Sequence, residues 1–239
     1  MGGSRDARSR SSIVCLVARW RRATFLLHPS FYQIPMLARD RFIPDTIERE
    51  SDGQRTWTNY QRGDIIHLRD SGMWQVCRGW VQMSTFSLDG RERVLGWLGS
   101  SMWLGDGLHA RPQYRAKALS DVQLVWYSSV EIEVSPQLRS SIVLQVAWRQ
   151  RQLLELVAAI QHRRVEERLR QVLVLLEREM GQPVPEGTRL GVRLTHLDLA
   201  NVVGTCRVSA TRILNRLKHK GLISWDRQRH LIIHDRTLL

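Results

Sequence analysis

Residues 194–219 read LTHLDLANVVGTCRVSATRILNRLKH, a run with two helix signals separated by a short turn. Thr195 is placed to cap the first helix, with Asp198 three positions on as in a capping box. Gly204 lies where a tight turn between two helices can need a positive φ angle. The second helix is predicted to begin at 206–207. Its buried side is expected to comprise Ala210, Ile213, Leu214 and Leu217.

The exposed face of this second helix carries side chains that suit a DNA major groove. Arginine is the commonest specific reader of guanine, because its fork spans O6 and N7, and both Arg207 and Arg212 can reach base edges. Hydroxyl groups suit phosphate contacts, which set register without reading sequence. Segments 221–225 and 229–234 are predicted to be two strands with an arginine-bearing wing between them. The predicted DNA-binding residues are Thr195, Thr205, Arg207, Val208, Ser209, Thr211, Arg212, Asn215, Lys218, Arg227 and Arg229.

The charge of the chain supports the same interpretation. The net charge is +13, from 36 Lys and Arg against 23 Asp and Glu. Residues 163–239 hold 15 basic and 8 acidic side chains, so the last third contributes +7. A compact domain with this excess attracts polyanions such as nucleic acids. On charge alone a solvated basic surface is an equal alternative, and the motif at 194–219 favours DNA binding over it.

A long helical stretch begins at Pro136, and a second helix is predicted at 165–180, ending at Gly181. Apolar residues of the first helix recur at alternating spacings of four and three, with Arg149 interrupting the stripe. A narrow stripe suits a seam between two helices, so dimerisation is favoured. A single helix packed on its own β-domain is the alternative. The predicted dimer-helix residues are Ile142, Val146, Leu153, Leu156 and Ile160.

Short strand-like runs with glycines between them occupy the region 55–134. A hairpin is predicted at 88–91, since Asp-Gly tolerates the positive φ of a tight turn. Strands at this spacing, with turn signals between them, indicate an antiparallel sandwich or barrel. The clearest strand-like runs are 64–68, 73–77, 81–86, 94–98 and 122–127.

The first 54 residues are a basic N-terminal extension around a short apolar run at 13–17. That run is shorter than a usual signal-peptide core and lacks a clear cleavage site, so we expect no export. Two interpretations stay open: an arm that grasps DNA, or a translation start at Met36. No apolar run approaches the roughly 20 residues that cross a bilayer, so no membrane partner is expected.

The three cysteines, Cys15, Cys77 and Cys206, are far apart and form no CxxC pair. Reduced thiols in the cytoplasm are the simplest interpretation. The lack of a cysteine cluster argues against an iron–sulfur sensor. A haem ligand at Cys77 or His109 and oxidation sensing by Cys206 stay open, although ordinary packing or surface roles are commoner for isolated residues. No cofactor is predicted.

From residue 59 to 235 the chain resembles the superfamily of the cyclic-AMP receptor protein and the fumarate-nitrate reductase regulator (CRP/FNR). The resemblance is strongest at 194–222, where Gly204-Thr-Cys-Arg-Val-Ser-Ala-Thr-Arg-Ile-Leu is similar to the global nitrogen regulator branch. Segments that fall where the family places its β-domain turns are Gly63-Asp64, Gly79-Trp-Val, Asp89-Gly-Arg-Glu and Gly105-Asp106.

This resemblance implies an α+β fold with an N-terminal antiparallel β-roll (a cupin-like jelly roll), a long dimerisation helix and a C-terminal winged helix-turn-helix. It also implies a homodimer on a palindromic operator, with RNA polymerase as a further partner. The expected domains are the extension at 1–54, a β-roll sensor at 55–134, the dimerisation helix at 135–162 and the DNA-binding domain at 163–239.

The sequence departs from family members that bind cyclic nucleotides. Those members hold the ligand with a Gly-Glu and then an Arg-Ser after a short helix. Here the segment after Gly105-Asp106 is several residues shorter and has no Arg-Ser pair, so we expect no cyclic-nucleotide binding. The effector is unknown. Because an arginine there could still meet an anion, the possible effector pocket comprises Gly105, Asp106, Arg111 and Arg115.

A second departure concerns base reading. Many family members place Glu directly after the first arginine of the reading helix, where it can accept from cytosine N4. Val208 stands at that position and offers only an apolar surface, which suits a thymine methyl group. We therefore predict a half-site without the guanine–cytosine pair that such a Glu selects, and the resemblance to the nitrogen-regulator branch implies that it is like GTA rather than TGTGA.

Two other function classes compete with DNA binding. A cupin metalloenzyme needs two or three histidines and a carboxylate around the metal, and residues 60–130 contain only His67 and His109, with no His-x-His pair. No Gly-x-Ser-x-Gly, phosphate loop or dinucleotide fingerprint occurs, so no enzyme is predicted. A β-roll sensor that acts through protein partners, without specific DNA binding, is the remaining alternative.

Overall fold

Two four-stranded antiparallel sheets build the N-terminal part of the chain in the computed structural model, which describes residues 57–105 and 114–234. Their strands are β1 (Trp57–Tyr60), β2 (Ile65–Ile66), β3 (Gly72–Arg78), β4 (Val81–Phe86), β5 (Glu92–Leu98), β6 (Trp103–Leu104), β7 (Arg115–Ala118) and β8 (Val122–Ser128). One sheet has the order β1-β8-β3-β6 and the other the order β2-β7-β4-β5. The expectations for 1–54, Asp106, His109 and Arg111 lie outside the described residues.

Apolar side chains from both sheets share one core, because alternate strand residues point to the same face. Removing each large side chain from water contributes about 1.5–3 kcal/mol. The predicted antiparallel β-domain and the α+β fold are therefore confirmed. The buried residues of this core are Ile66, Trp74, Val76, Val81, Met83, Leu98, Met102, Leu104, Ala116, Ala118, Val122 and Leu124.

The predicted hairpin at 88–91 joins β4 to β5. Phe86 pairs with Glu92, so the loop spans the five residues 87–91 rather than two. Gly90 has the expected positive φ of 74°. Pairing across the hairpin shifts register between Met83 and Ser84, which marks a β-bulge.

Two helices follow β8, a short α1 (Ser129–Val134) and the long α2 (Pro136–Ile160). The Ser135 hydroxyl accepts a hydrogen bond from the Leu138 N–H at 3.3 Å, and Pro136 occupies the first helical position, where its missing N–H costs nothing. The predicted start of the long helix is confirmed. Within the two described ranges, no helix is both long and apolar enough to cross a membrane.

The sequence-predicted stripe on α2 divides between two faces. Leu156 is only 2% exposed and lies in the core of its own chain, whereas Ile142 is half-buried. The assignment of Leu156 to a seam between two chains is therefore wrong, because its apolar surface is already covered within one chain. Val146, Leu153 and Ile160 lie on the exposed side.

The C-terminal part contains three helices and a third antiparallel sheet. Its elements are α3 (Val165–Met180), β9 (Gly181–Val184), β10 (Gly187–Leu190), α4 (His196–Val203), α5 (Arg207–His219), β11 (Ile223–Trp225) and β12 (Leu231–Ile233). The sheet has the order β11-β12-β10-β9. Strands β9 and β10 were not predicted from the sequence. Pro183 is accommodated in β9 because that strand lies at the sheet edge.

Candidate DNA-binding surface

Helix α4 begins with the predicted capping box. The Thr195 hydroxyl accepts from the Asp198 N–H at 3.1 Å and donates to Asp198 Oδ2 at 2.7 Å, while the Thr195 N–H donates to the same oxygen at 2.8 Å. These bonds satisfy donors that a helix N-terminus otherwise leaves unpaired. They also occupy the Thr195 hydroxyl, so its predicted phosphate contact would require the capping box to open.

The turn between α4 and α5 has the left-handed conformation expected at Gly204, with φ 68° and ψ 44°. The Thr205 N–H donates to the Ala200 carbonyl at 2.9 Å. From α3, Arg168 Nη1 donates to the Val203 carbonyl at 3.2 Å. The turn is thus closed by its own backbone and fixed by α3, which sets the direction in which α5 leaves it.

Helix α5 buries the predicted four residues and presents a polar, cationic face to solvent. Arg207, Arg212 and Asn215 are exposed, and within the described part of the chain their side chains make no hydrogen bond or ion pair. Val208 is 67% exposed at the start of the helix. The buried residues are Ala210, Ile213, Leu214 and Leu217. The exposed face therefore offers unengaged guanidinium groups and one apolar contact.

Two hydroxyls predicted for phosphate contacts already have partners. Thr211 Oγ1 lies 2.9 Å from His196 Nδ1, and Ser209 Oγ lies 3.3 Å from the Cys206 thiol. The first contact joins α5 to α4, and the second lies within the first turn of α5. The hydrogen bond with Ser209 lowers the pKa of the exposed Cys206 thiol.

An aromatic pair, His196 of α4 and Trp225 of β11, lies beside α5. The His196 ring lies 5.8 Å from the Trp225 ring, and Lys218 Nζ lies 5.8 Å above the same indole. Burial, and secondarily the charge of Arg207, lower the pKa of His196, which favours the neutral imidazole. A neutral ring can share the hydrogen bond with Thr211 without adding charge beside Arg207.

The wing between β11 and β12 is organised by Asp226. Its carboxylate accepts from Arg189 Nε at 2.7 Å and from the His230 N–H at 2.8 Å. Partial burial opposes ionisation, but the bonds from Arg189 and the His230 backbone lower the pKa of Asp226 to about 2. Arg227 and Arg229 at the wing tip stay exposed. Asp226 of the wing thus binds Arg189 of β10, while Arg227 and Arg229 face the solvent.

Sequence reasoning missed the residues that support this surface. Arg189 also contacts His230 Nδ1 at 2.6 Å, and Arg216 pairs with Glu166 of α3 at 2.6 Å. From the sequence alone, both arginines resemble further DNA contacts. Their carboxylate partners are 37 and 50 positions away along the chain, so no local pattern could have identified these pairs.

Two members of the possible effector pocket, Gly105 and Arg115, lie within the described residues. Gly105 packs closely against the backbone of Gly72, and the Arg115 guanidinium lies 5.8 Å above the Phe86 ring. Three tryptophans, Trp74, Trp97 and Trp103, are fully buried in the β-domain and at its contacts with the helices. Among the described residues, no group of three or more His, Cys, Asp or Glu could hold a metal ion.

Comparisons with known proteins agree with this geometry. Residues 167–239 match the Crp-like helix-turn-helix domain. The global nitrogen regulator of Synechocystis sp. is 28% identical over 173 residues, which cover 69% of this chain and 76% of that protein. The cAMP-activated global transcriptional regulator CRP of Escherichia coli is 26% identical over 174 residues, 68% of this chain and 82% of the relative.

Solved structures show the same fold at lower identity. A CRP-family transcriptional regulator from Thermus thermophilus aligns with a TM-score of 0.65 at 19% identity, covering 76% of this chain and 93% of that one. A CooA mutant from Carboxydothermus hydrogenoformans aligns with a TM-score of 0.64 at 18% identity, covering 82% of this chain and 93% of that one.

Proposed function

We propose that this chain is a transcription regulator of the CRP/FNR type, which binds a palindromic operator as a homodimer through its helix-turn-helix domain, without a cyclic nucleotide. In this proposal α5 enters the major groove and the wing lies on the phosphate backbone. The protein acts in the cytoplasm, with RNA polymerase as a further partner.

The unengaged arginines of α5 carry the proposal. Arg207 and Arg212 have no ion pair within the described residues, whereas Arg216 on the same helix pairs with Glu166. A guanidinium without an internal partner can form the bidentate contact with guanine O6 and N7. Arg227 and Arg229 add phosphate contacts from the wing.

Homodimerisation is supported by the exposed side of α2. Its large aliphatic side chains recur at spacings typical of a two-helix seam, and such a surface is costly to leave in water. A parallel seam of two α2 helices would set the two reading helices about one DNA turn apart, roughly 34 Å. The exposed apolar residues of this face are Val143, Val146, Leu153, Val157 and Ile160.

A GTA-like half-site is supported by Val208 and by the relatives named global nitrogen regulators. Independence from cyclic nucleotides is supported by the missing Arg-Ser pair after Gly105. Any effector of the β-roll therefore differs from a cyclic nucleotide.

The test is an in vitro binding selection with the purified full chain, followed by gel shifts of an Arg207→Ala, Arg212→Ala double variant. We expect a two-fold palindrome with GTA-like half-sites, and a decrease in affinity of about 1–3 kcal/mol for each arginine removed. Arg216→Ala is the matched control, because its guanidinium faces Glu166, and its operator affinity should change little. Recovery of no motif, with only weak salt-sensitive binding, would favour a sensor that acts through protein partners.

A further inference from the structure

The β-domain places one of its own arginines beside the helix-turn-helix. We propose, building on the DNA binding proposed above, that Arg93 of β5 binds a phosphate of the DNA that flanks the groove occupied by α5. Direct DNA contact would then come from the sensor domain as well as from the winged helix. Three observations support this role. They are the contacts that attach β5 to α4, the location of the Arg93 guanidinium, and the lack of a hydrogen bond or ion pair to it among the described residues.

Polar contacts attach the second β-sheet to α4. Glu92 Oε2 accepts from Asn201 Nδ2 at 3.1 Å, and Glu92 Oε1 accepts from Ser84 Oγ at 2.8 Å. Lys117 Nζ on β7 lies 3.8 Å from Asp198 Oδ1 in the α4 capping box. The start of β5 is therefore held at a defined position against the first helix of the motif.

The Arg93 guanidinium lies at the turn of the motif. A Cβ atom built on Gly204 would lie 3.1 Å from Arg93 Nη1. Arg207 is three positions after Gly204, a span of at most about 11 Å even in an extended chain. The major groove is about 12 Å wide, so a cation at this distance from the start of the reading helix is within reach of a flanking phosphate strand.

Arg93 is exposed, and in the part of the chain that the structure describes it makes no hydrogen bond or ion pair. Arg91, two residues earlier on the same hairpin, pairs with Asp89 at 3.1 Å. The neighbouring Glu92 carboxylate is already engaged by Asn201 and Ser84. A free guanidinium at this location has the chemistry to bind a phosphate oxygen.

This contact gives the β-domain a direct influence on DNA affinity. Arg93 can meet DNA only while the Glu92–Asn201 and Lys117–Asp198 contacts keep β5 against α4. A change that separates the two domains would remove one phosphate contact from each subunit. The β-domain would then weaken DNA binding without any change in the reading helix itself.

The test is the salt dependence of DNA binding, measured for the full chain on the selected operator and on a random duplex of equal length. Arg93→Gln should weaken binding to both duplexes by the same factor. It should also reduce the slope of log K against log salt by about 0.9 for each phosphate that is no longer neutralised. Arg93→Lys should retain the slope, because it keeps the charge. The matched control is Arg91→Gln, which should leave the slope unchanged.

Two results would overturn the inference. An unchanged DNA affinity of Arg93→Gln would show that Arg93 does not contact DNA. A weaker affinity with an unchanged slope would make it a residue that only positions the turn. The random duplex separates these results from failure of the proposed function, because the slope can be measured there even if no operator is selected. Unfolding curves of each variant check that the fold is intact.

Discussion

Helices α2 and α5 are both half-buried, yet their exposed faces have opposite chemistry. The exposed face of α5 carries Arg207, Arg212 and Asn215, whereas the exposed face of α2 carries valine, leucine and isoleucine side chains. A cationic face attracts a polyanion, and an aliphatic face is stabilised only by another apolar surface. The two faces therefore favour two different partners, which in the function proposed above are DNA and a second copy of the chain.

The buried faces of the two helices differ as well. The buried residues of α5 are all apolar, but α2 buries Gln152. The Gln152 amide accepts from the Trp97 N–H of β5 at 3.0 Å and donates to Glu179 of α3 at 2.7 Å. Arg149 adds a bond to Gln152 at 2.7 Å. Apolar packing tolerates small shifts, whereas these bonds fix where α2 sits between the β-domain and the DNA-binding domain.

The largest predicted effect is on the aliphatic face of α2. Leu153→Glu should convert a dimer to a monomer, because a symmetric seam would bury two unpaired carboxylates. At several kcal/mol per uncompensated charge, the dimer should weaken by at least about 100-fold. Sedimentation across a concentration series measures this. Leu153→Met is the control and should stay dimeric. A Leu153→Glu variant that is still dimeric would show that the dimer interface does not include Leu153.

The next effect concerns the apolar position on the otherwise polar face of α5. Val208→Glu places a carboxylate in the first turn of the helix, where it can accept from cytosine N4. We expect the half-site preference to shift toward a guanine–cytosine pair, with about 1–3 kcal/mol of discrimination. A binding selection with both proteins compares the motifs. Identical motifs would show that residue 208 does not face a base.

On the buried face of α2, Gln152→Leu should lower stability rather than change the partner. The variant leaves the Trp97 N–H without its acceptor and takes one donor from the Glu179 carboxylate. Such losses cost about 1–3 kcal/mol, and Tm should fall by several degrees. Gln150→Leu, exposed on the same helix, is the control. Equal unfolding temperatures for the two variants would mean that the buried amide contributes nothing.

Local signals account for what the sequence predicted well. The capping box at Thr195, the positive φ at Gly204 and the buried side of α5 each depend on residues within one or two helical turns. The stripe on α2 was wrong at Leu156 because periodicity reports that a helix has an apolar side, and not which neighbour covers it.

Long-range pairs account for what the sequence could not predict. The bonds Arg189–Asp226, Glu92–Asn201 and Gln152–Glu179 join residues 27 to 109 positions apart, so no local pattern identifies them. Strands β9 and β10 were missed for a different reason, because they form a short local hairpin in which Pro183 is atypical of a strand. Each is four residues long, and β10 also pairs with β12, which lies more than 40 positions further along the chain.

The smallest predicted effect is in the wing beside α5, where Asp226 holds Arg189. The pKa of Asp226 is about 2 in the folded chain, below its ordinary 3.8, so the ionised form stabilises the fold. That contribution is complete above pH 3.8 and is lost as the pH falls toward 2. Asp226→Asn should therefore flatten the dependence of Tm on pH in this window. Operator affinity at pH 7 should fall modestly, because Arg227 and Arg229 are less well held. If the wild type and the variant lose stability in parallel between about pH 4 and 2, Asp226 does not organise the wing through its charge.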